Sequence, residues 1–304
     1  MTDARRLTPQ ERRAAFGAGE TAHALARRLP QIVLAAREAA SSALHGAHGR
    51  RRAGPGDAFW QFRGYAPGES AQRIDWRRSA RDDRLHVRER EWEAAHTVWL
   101  WIDLSASMDF VSDGALQPKL DRAVTLGLAL AEVVSRAGER VGLLGLTRPL
   151  AARDVIETFA ERLRAAERAG ETGADLPPPD AVGPRARVAI VSDCLAPADA
   201  FAERLGAIAA RGARGVVVAI ADPAEETFPF HGHLDLLDTD STAVLRAGAA
   251  QTWRAPYLER LSAHRAALAA ACRAHGFGFS VHRTDQPTSA ALLRLSAWFA
   301  EGGR

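Results

Sequence analysis

Lysine is nearly missing from this chain: the 304 residues hold 40 Lys and Arg together, and Lys119 is the only lysine. An Arg- and Ala-rich bias of this kind reads as base composition of the coding genome rather than selection for a ligand. Cysteine is scarce too. Cys194 and Cys272 cannot build a disulfide framework and have no CxxC spacing, so both are expected as small buried or half-buried thiols. No apolar run approaches the roughly 18–20 residues that cross a bilayer. Arg5, Arg6, Arg12 and Arg13 are not followed by the apolar stretch of a secretory signal, so the expected location is cytoplasmic. There is no Gly-Lys pair and hence no Walker A loop, no HExxH and no GxSxG, which sets aside a P-loop ATPase, a zincin and an α/β-hydrolase elbow. His45-x-x-His48 and His231-x-His233 lack further ligands at zinc spacing.

What is present belongs to an ordinary globular protein, with 47% hydrophobic and 25% charged residues. The net charge of +3 is unevenly spread. Up to Arg52 there are ten arginines against four acids, so an arm of +6 precedes a body of −3. Aromatic residues are not interleaved with these arginines, as a single-strand stacking platform requires, and no nucleic-acid partner is expected.

Thr8-Pro9-Gln10-Glu11 is a compact helix start: N-cap, proline at the first helical position, and a capping-box acid. Helical patterning runs on with an expected break at Pro30, then gives way to a linker between Gly46 and Gly56. Residues 57–93 are aromatic and charged at once, and Leu85-His-Val87 leads into a half-exposed strand. The spacing predicts three units: a basic helical arm over 1–53, an aromatic and charged segment over 54–95, and an α/β domain over 96–304. In the last, apolar strands alternate with amphipathic helices. Strands are expected over Thr97–Ile102, Val141–Leu146, Arg187–Ser192, Gly215–Ile220 and Phe277–His282. Helices are expected over Lys119–Ala137, Asp154–Ala169, Ala198–Ala210, Pro256–His275 and Ser289–Ala300. Such a rhythm implies a doubly wound, mostly parallel sheet with its ligand site outside the carboxyl ends of the strands.

Asp103, Ser105 and Ser107 follow the first core strand directly, with Asp193 at the end of another. Oxygen side chains at i, i+2 and i+4 of one turn, joined by a second strand-end carboxylate, can converge on one cation. Oxygen-only ligation with few charges suits Mg²⁺, or Mn²⁺. The plainer alternative is that Asp103 and the serines cap the next helix and satisfy turn amides. Arg73, Asp75, Trp76 and Arg81 form a second cluster. It reads either as an Asp75–Arg ion pair with Trp76 packed on the sheet, or as a docking surface for a partner protein.

The Asp103-x-Ser105-x-Ser107 turn resembles the metal-ion-dependent adhesion site of von Willebrand factor A domains. The longer series is similar to a bacterial family, domain-of-unknown-function family fifty-eight, found beside MoxR-type AAA+ ATPases. It includes Gly56-Asp-Ala-Phe59, Phe62-Arg63-Gly-Tyr65, Arg73-Ile-Asp75-Trp76, Ser79-Ala80-Arg81, Ile190-Val-Ser192-Asp193, Asp222-Pro223-Ala-Glu225 and Leu237-Asp238. The resemblance implies a von Willebrand factor A-like fold. It also implies a metal rim of Asp103, Ser105, Ser107 and Asp193, and an open ion position filled by a partner's carboxylate. The family pattern adds a loop threonine. Here that loop reads Gly170-Glu-Thr172-Gly-Ala174-Asp175-Leu176, and Thr172 serves if the loop shifts by two residues. The expected function is a non-enzymatic protein–protein adaptor working with a MoxR-type AAA+ ATPase. The alternatives are a Mg²⁺-dependent hydrolase of a phosphorylated or acidic substrate, and a metal-free structural domain.

Overall fold

The computed structural model describes residues 3–6, 24–47, 59–66, 70, 74–81, 84–90, 97–171, 173–184, 186–237 and 243–300. In chain order its strands are β1 (Asp3–Arg6), β2 (Phe59–Gly64), β3 (His86–Arg90), β4 (Thr97–Ile102), β5 (Arg140–Leu143), β6 (Arg187–Ser192), β7 (Arg214–Ala221), β8 (Leu234–Leu237), β9 (Ala243–Ala247) and β10 (Phe277–Arg283). Its helices are α1 (Ala24–Ala47), α2 (Trp76–Ser79), α3 (Lys119–Arg136), α4 (Val155–Ala169), α5 (Ala198–Ala209), α6 (Pro223–Thr227), α7 (Arg254–Ala274) and α8 (Thr288–Ala300).

Five strands form one sheet in the order β5-β4-β6-β7-β10, and every neighbouring pair is parallel. The alternation of side chains along each strand divides the core in two. Val98, Leu100 and Ile102 of β4, with Ala189 and Val191 of β6, face α3, α4 and α8. Trp99, Trp101, Val188 and Ile190 point to the other face, against Phe201, Leu205 and Ile208 of α5 and Leu268 and Cys272 of α7. Both faces are apolar because both are covered, which explains why these strands read as unbroken hydrophobic runs.

Helix α1 adds a further layer on the first face, lying against α3, α4 and α8. Sandwiched between α1 and the sheet, α3 buries 15 of its 18 residues, the polar Lys119, Asp121, Arg122, Thr125 and Glu132 among them. Gly127 makes the close approach possible: a Cβ there would stand 2.6 Å from Ile102 Cδ1. The expected break at Pro30 is not found. The helix runs from Ala24 to Ala47 with Pro30 inside it, on an exposed position where water can take the carbonyl that the missing N–H leaves free. The Thr8–Glu11 helix start and most of the Gly46–Gly56 linker lie outside the described residues.

The second core strand is shorter than expected, ending at Leu143, because Thr147 N–H turns back to the Leu143 carbonyl at 2.9 Å and Gly145 takes φ +80°. Between β7 and α7, where the spacing predicts no element, lie α6 and two strands. Of these, β8 and β9 pair antiparallel, and β1 adds to β9. Strands β2 and β3 form a separate antiparallel ribbon. From β4 the chain steps to β5 on one side and later to β6 on the other, so the connections diverge above the carboxyl ends of β4 and β6. That divergence opens a crevice in a doubly wound sheet.

Candidate metal centre

Asp103 is the first residue beyond β4 and is fully buried. Its N–H still pairs with the Val191 carbonyl of β6 at 2.9 Å, so its side chain leaves the sheet at the crevice. Oδ1 accepts the Ser105 N–H at 2.9 Å, and Oδ2 accepts the Ser192 hydroxyl at 2.6 Å. Burial raises the Asp103 pKa, while the bonds from Ser105 and Ser192 oppose the rise. The plainer expectation holds in one respect, since Asp103 does satisfy a turn amide.

It does not hold for the serines. Ser105 precedes a 3₁₀ turn over Ala106–Asp109 without capping it through its hydroxyl. Instead Ser105 Oγ lies 3.1 Å from Ser107 Oγ, and Ser107 Oγ donates to Asp193 Oδ2 at 2.7 Å. Asp193, the first residue beyond β6, is thereby joined to the turn after β4. Its Oδ1 accepts the Leu195 N–H at 3.2 Å. Cys194, between them, sits at φ +56°, a left-handed backbone in a residue other than glycine. Such conformations persist where surrounding structure fixes them, and they cluster at functional sites.

Lys119 completes the cluster, and the sequence reading did not place it there. Its Nζ donates to Asp193 Oδ2 at 2.9 Å and to Glu225 Oε1 at 2.6 Å, and it lies 5.8 Å from the centre of the Phe110 ring. The side chain is 1% exposed. Burial alone would depress its pKa, but the charges of Asp193 and Glu225 outweigh it and the net shift is upward. A cation in the first turn of a helix also opposes the helix dipole. The two carboxylates are what hold it there. Glu225 is anchored in turn, its Oε2 accepting the Asp222 N–H at 2.8 Å in a capping box at the start of α6.

Neighbouring oxygens of an octahedral Mg²⁺ shell, with metal–oxygen distances of about 2.0–2.1 Å, stand about 2.9 Å apart. Ser107 Oγ lies 3.1 Å from Ser105 Oγ and 2.7 Å from Asp193 Oδ2, so each of these two pairs matches neighbouring corners of such a shell. These are also hydrogen-bond separations, and the same oxygens satisfy one another without an ion. Asp103, Asp193 and Glu225 against one ammonium leave two net negative charges, the complement of one divalent cation. Among the described residues no three His, Cys, Asp or Glu side chains are grouped to hold a metal, so a cation here depends on the serine hydroxyls. Thr172 lies outside the described residues.

Exposed apolar side chains stand on the segments that carry this polar centre. Phe110, Val111 and Leu116 from the segment after β4, and Leu195 from the segment after β6, are exposed large side chains. Phe110 and Leu195 flank the cluster directly, the first beside Lys119 and the second through its N–H on Asp193. Nearby histidine is committed elsewhere: His264 Nε2 is 2.7 Å from the Cys194 carbonyl. Both cysteines are buried as expected. Burial pushes the Cys194 thiol well above its ordinary range and Cys272 to about 12.

The second cluster departs from its plainer reading at Trp76. Asp75 is the N-cap of α2 and accepts the Arg78 N–H at 2.9 Å. Trp76 is not packed on the sheet; it is 63% exposed, on a helix with no buried residue. Arg81 is exposed too, and Arg73 lies outside the described residues.

Residues 61–267 match the family described as Protein of unknown function DUF58. Uncharacterised proteins of Mycobacterium bovis and of two strains of Mycobacterium tuberculosis are 30% identical over 288 residues, covering 90% of this chain and 89% of theirs. Two solved structures are also similar, each matched over 68% of this chain and 100% of its own length. The conserved hypothetical protein BatB from Bacteroides thetaiotaomicron is 18% identical with a TM-score of 0.35. An aerotolerance-related membrane protein from Bacteroides fragilis is 14% identical with a TM-score of 0.40. Among the described residues no helix is long and apolar enough to cross a membrane.

Proposed function

The chain belongs to the DUF58 family, and from that membership we propose that it is a von Willebrand factor A-like adaptor whose β4–β6 rim holds Mg²⁺ or Mn²⁺ and, through it, a carboxylate of a protein partner. The observation that carries this reading is the chain of contacts Ser105–Ser107–Asp193, which joins two strand ends in oxygens spaced for a small cation. Ser105, Ser107 and Asp193 would hold the ion, with Asp103 beside them and Thr172 the remaining candidate. When bound, the cation supplies an electrostatic seat for an incoming carboxylate, a charge-assisted contact that gives an interface specificity.

Exposed apolar side chains on both segments that carry the site support recognition rather than turnover. Phe110 beside Lys119 and Leu195 beside Asp193 would exclude water from a central polar contact, the arrangement found at interface hot spots. Trp76 and Arg81 offer a second contact region in the 54–95 segment. The partner to which the family resemblance points is a MoxR-type AAA+ ATPase, in chaperone-like assembly or maturation.

Affinity capture with the wild-type chain, with and without chelator, tests this against Asp103→Ala. The expected result is an AAA+ ATPase retained by wild type, released by chelator and lost in the variant. Saturating Mn²⁺ should also raise the wild-type Tm, because an ion that binds only the native state stabilises it by about 2.7 kcal/mol at a hundredfold excess over Kd. A Tm indifferent to Mg²⁺ and Mn²⁺ would sink the metal reading.

A further inference from the structure

Asp193 Oδ2 already receives two donors, the Ser107 hydroxyl at 2.7 Å and the Lys119 ammonium at 2.9 Å. The two respond differently to a cation. A hydroxyl is donor and acceptor both: Ser107 can turn its proton away and offer a lone pair to an ion. An ammonium has three donors, no acceptor and a full positive charge. It cannot become a ligand. A divalent ion arriving at Asp193 Oδ2 therefore keeps Ser107 and opposes Lys119.

Lys119 has somewhere to go. Glu225 Oε1 accepts the same ammonium at 2.6 Å, and Glu225 is fixed from behind by the Asp222 N–H. A flexible four-carbon stem ending in a compact charge can shift between two carboxylates, where a planar guanidinium, demanding its own fork of acceptors, would not. In a chain whose other basic residues are all arginine, the single lysine stands at this one place.

We propose that Lys119 is the tethered cation of the rim: its ammonium and a divalent ion are alternative partners of Asp193 Oδ2, and an ion that takes this oxygen drives Lys119 onto Glu225. The inference rests on the ion-site reading above and adds a ligand-positioning residue to it. The affinity of the rim for an ion is then set by Lys119 as well as by the oxygens, and ion binding is felt at the Asp222–Glu225 cap of α6.

Because lysine occurs once, the full chain labelled with ¹³C-lysine gives one side-chain signal, that of Lys119 itself. Titration of the wild type with Mg²⁺ should move this signal saturably, and Asp103→Ala should weaken the response. Calorimetry with Mn²⁺ should give about tenfold tighter binding, or more, for Lys119→Met than for wild type, and no tightening for Lys119→Arg. Binding by Lys119→Met where wild type binds nothing also supports the proposal, since the lysine then holds the place outright. If Mg²⁺ raises the wild-type Tm while the lysine signal stays still, the competition is overturned and the ion site stands. If neither wild type nor Lys119→Met binds an ion, both readings fall. Should Lys119→Met not fold, the wild-type lysine signal decides alone.

Discussion

Asp193 and Asp222 occupy the same topological place, each the first residue beyond a buried parallel strand, on neighbouring strands β6 and β7. They are held in opposite ways. Asp222 accepts the Ala224 N–H at 2.8 Å, the Ser112 N–H at 2.9 Å and the Ser112 hydroxyl. Two of these three donors are backbone, and with Glu225 they build the cap of α6. Among the described residues the one backbone donor on Asp193 is Leu195, by a long bond, and Oδ2 accepts from two side chains. Backbone amides at fixed positions have nothing else to do; hydroxyls and ammoniums can turn away. A carboxylate held by the first kind is structure. One held by the second is available.

The largest expected effect tests the structural half. Asp222→Ala removes an N-cap and orphans the buried amides of Ser112 and Ala224, so a loss of roughly 2–4 kcal/mol is expected in denaturant titration. The fractional Tm rise with Mn²⁺ should survive in the folded variant. A cheap substitution that abolished the ion response would invert the comparison.

At the next strand end, β10, a third arrangement holds. Arg122 of α3 donates to the carbonyls of Thr284 and Gln286 at 2.7 and 2.6 Å and to Thr288 Oγ1 at 2.7 Å, and lies 3.5 Å from His282 Nε2. Two buried cations thus leave the start of α3 for the strand ends: Lys119 meets carboxylates, and Arg122 meets carbonyls that cannot change charge. His282 is fully buried, and burial first, then Arg122, push its pKa down to about 4. The folded protein resists protonating a ring that the unfolded chain protonates near 6.5. Stability should therefore fall as pH drops from about 6.5 to about 4, by roughly 1–3 kcal/mol, and this contribution should be flat below 4. The raised pKa values of Asp103, Asp109 and Asp121 act in the other direction, since protonation favours the folded state for each. The test is accordingly the difference between wild type and His282→Gln across that window. A difference curve without slope would show that burial and Arg122 do not lower the pKa of the ring.

The sheet was legible because its strands are buried on both faces. Thr97–Ile102 and Arg187–Ser192 are found with the expected bounds, since a six-residue apolar run has no other place to go. Asp103, Ser105, Ser107 and Asp193 could be brought together from sequence by the rule for crevices at parallel strand ends. Lys119 and Glu225 could not, because their meeting depends on how α3 and α6 are set above the sheet, which periodicity does not fix. Two signals went unused. Asp222-Pro223-Ala224-Glu225 spells N-cap, proline at the first helical position and capping-box acid, yet served only as a family motif. The other is the one lysine among the arginines. Strands β8 and β9 were missed because four- and five-residue strands in a polar stretch give little alternation to count.

The smallest effect offers the sharpest contrast, because two serines form a matched pair: Ser107 donates its hydroxyl to Asp193 and Ser112 donates to Asp222. Each alanine variant deletes one hydroxyl next to one strand-end carboxylate and leaves the backbone alone. Each should cost about 1 kcal/mol of stability, the ordinary worth of one side-chain hydrogen bond to a charged or polar partner. Their responses to Mn²⁺ should differ. Ser112→Ala should keep the full rise in Tm, because its carboxylate is committed to the cap and the remaining donors hold it. Ser107→Ala should lose most of the rise, because that hydroxyl is the link between Ser105 and Asp193 and no other group in the turn replaces its oxygen. Equal losses in both variants would mean that the two carboxylates are the same kind of group after all, and that the difference in their donors carries no functional meaning.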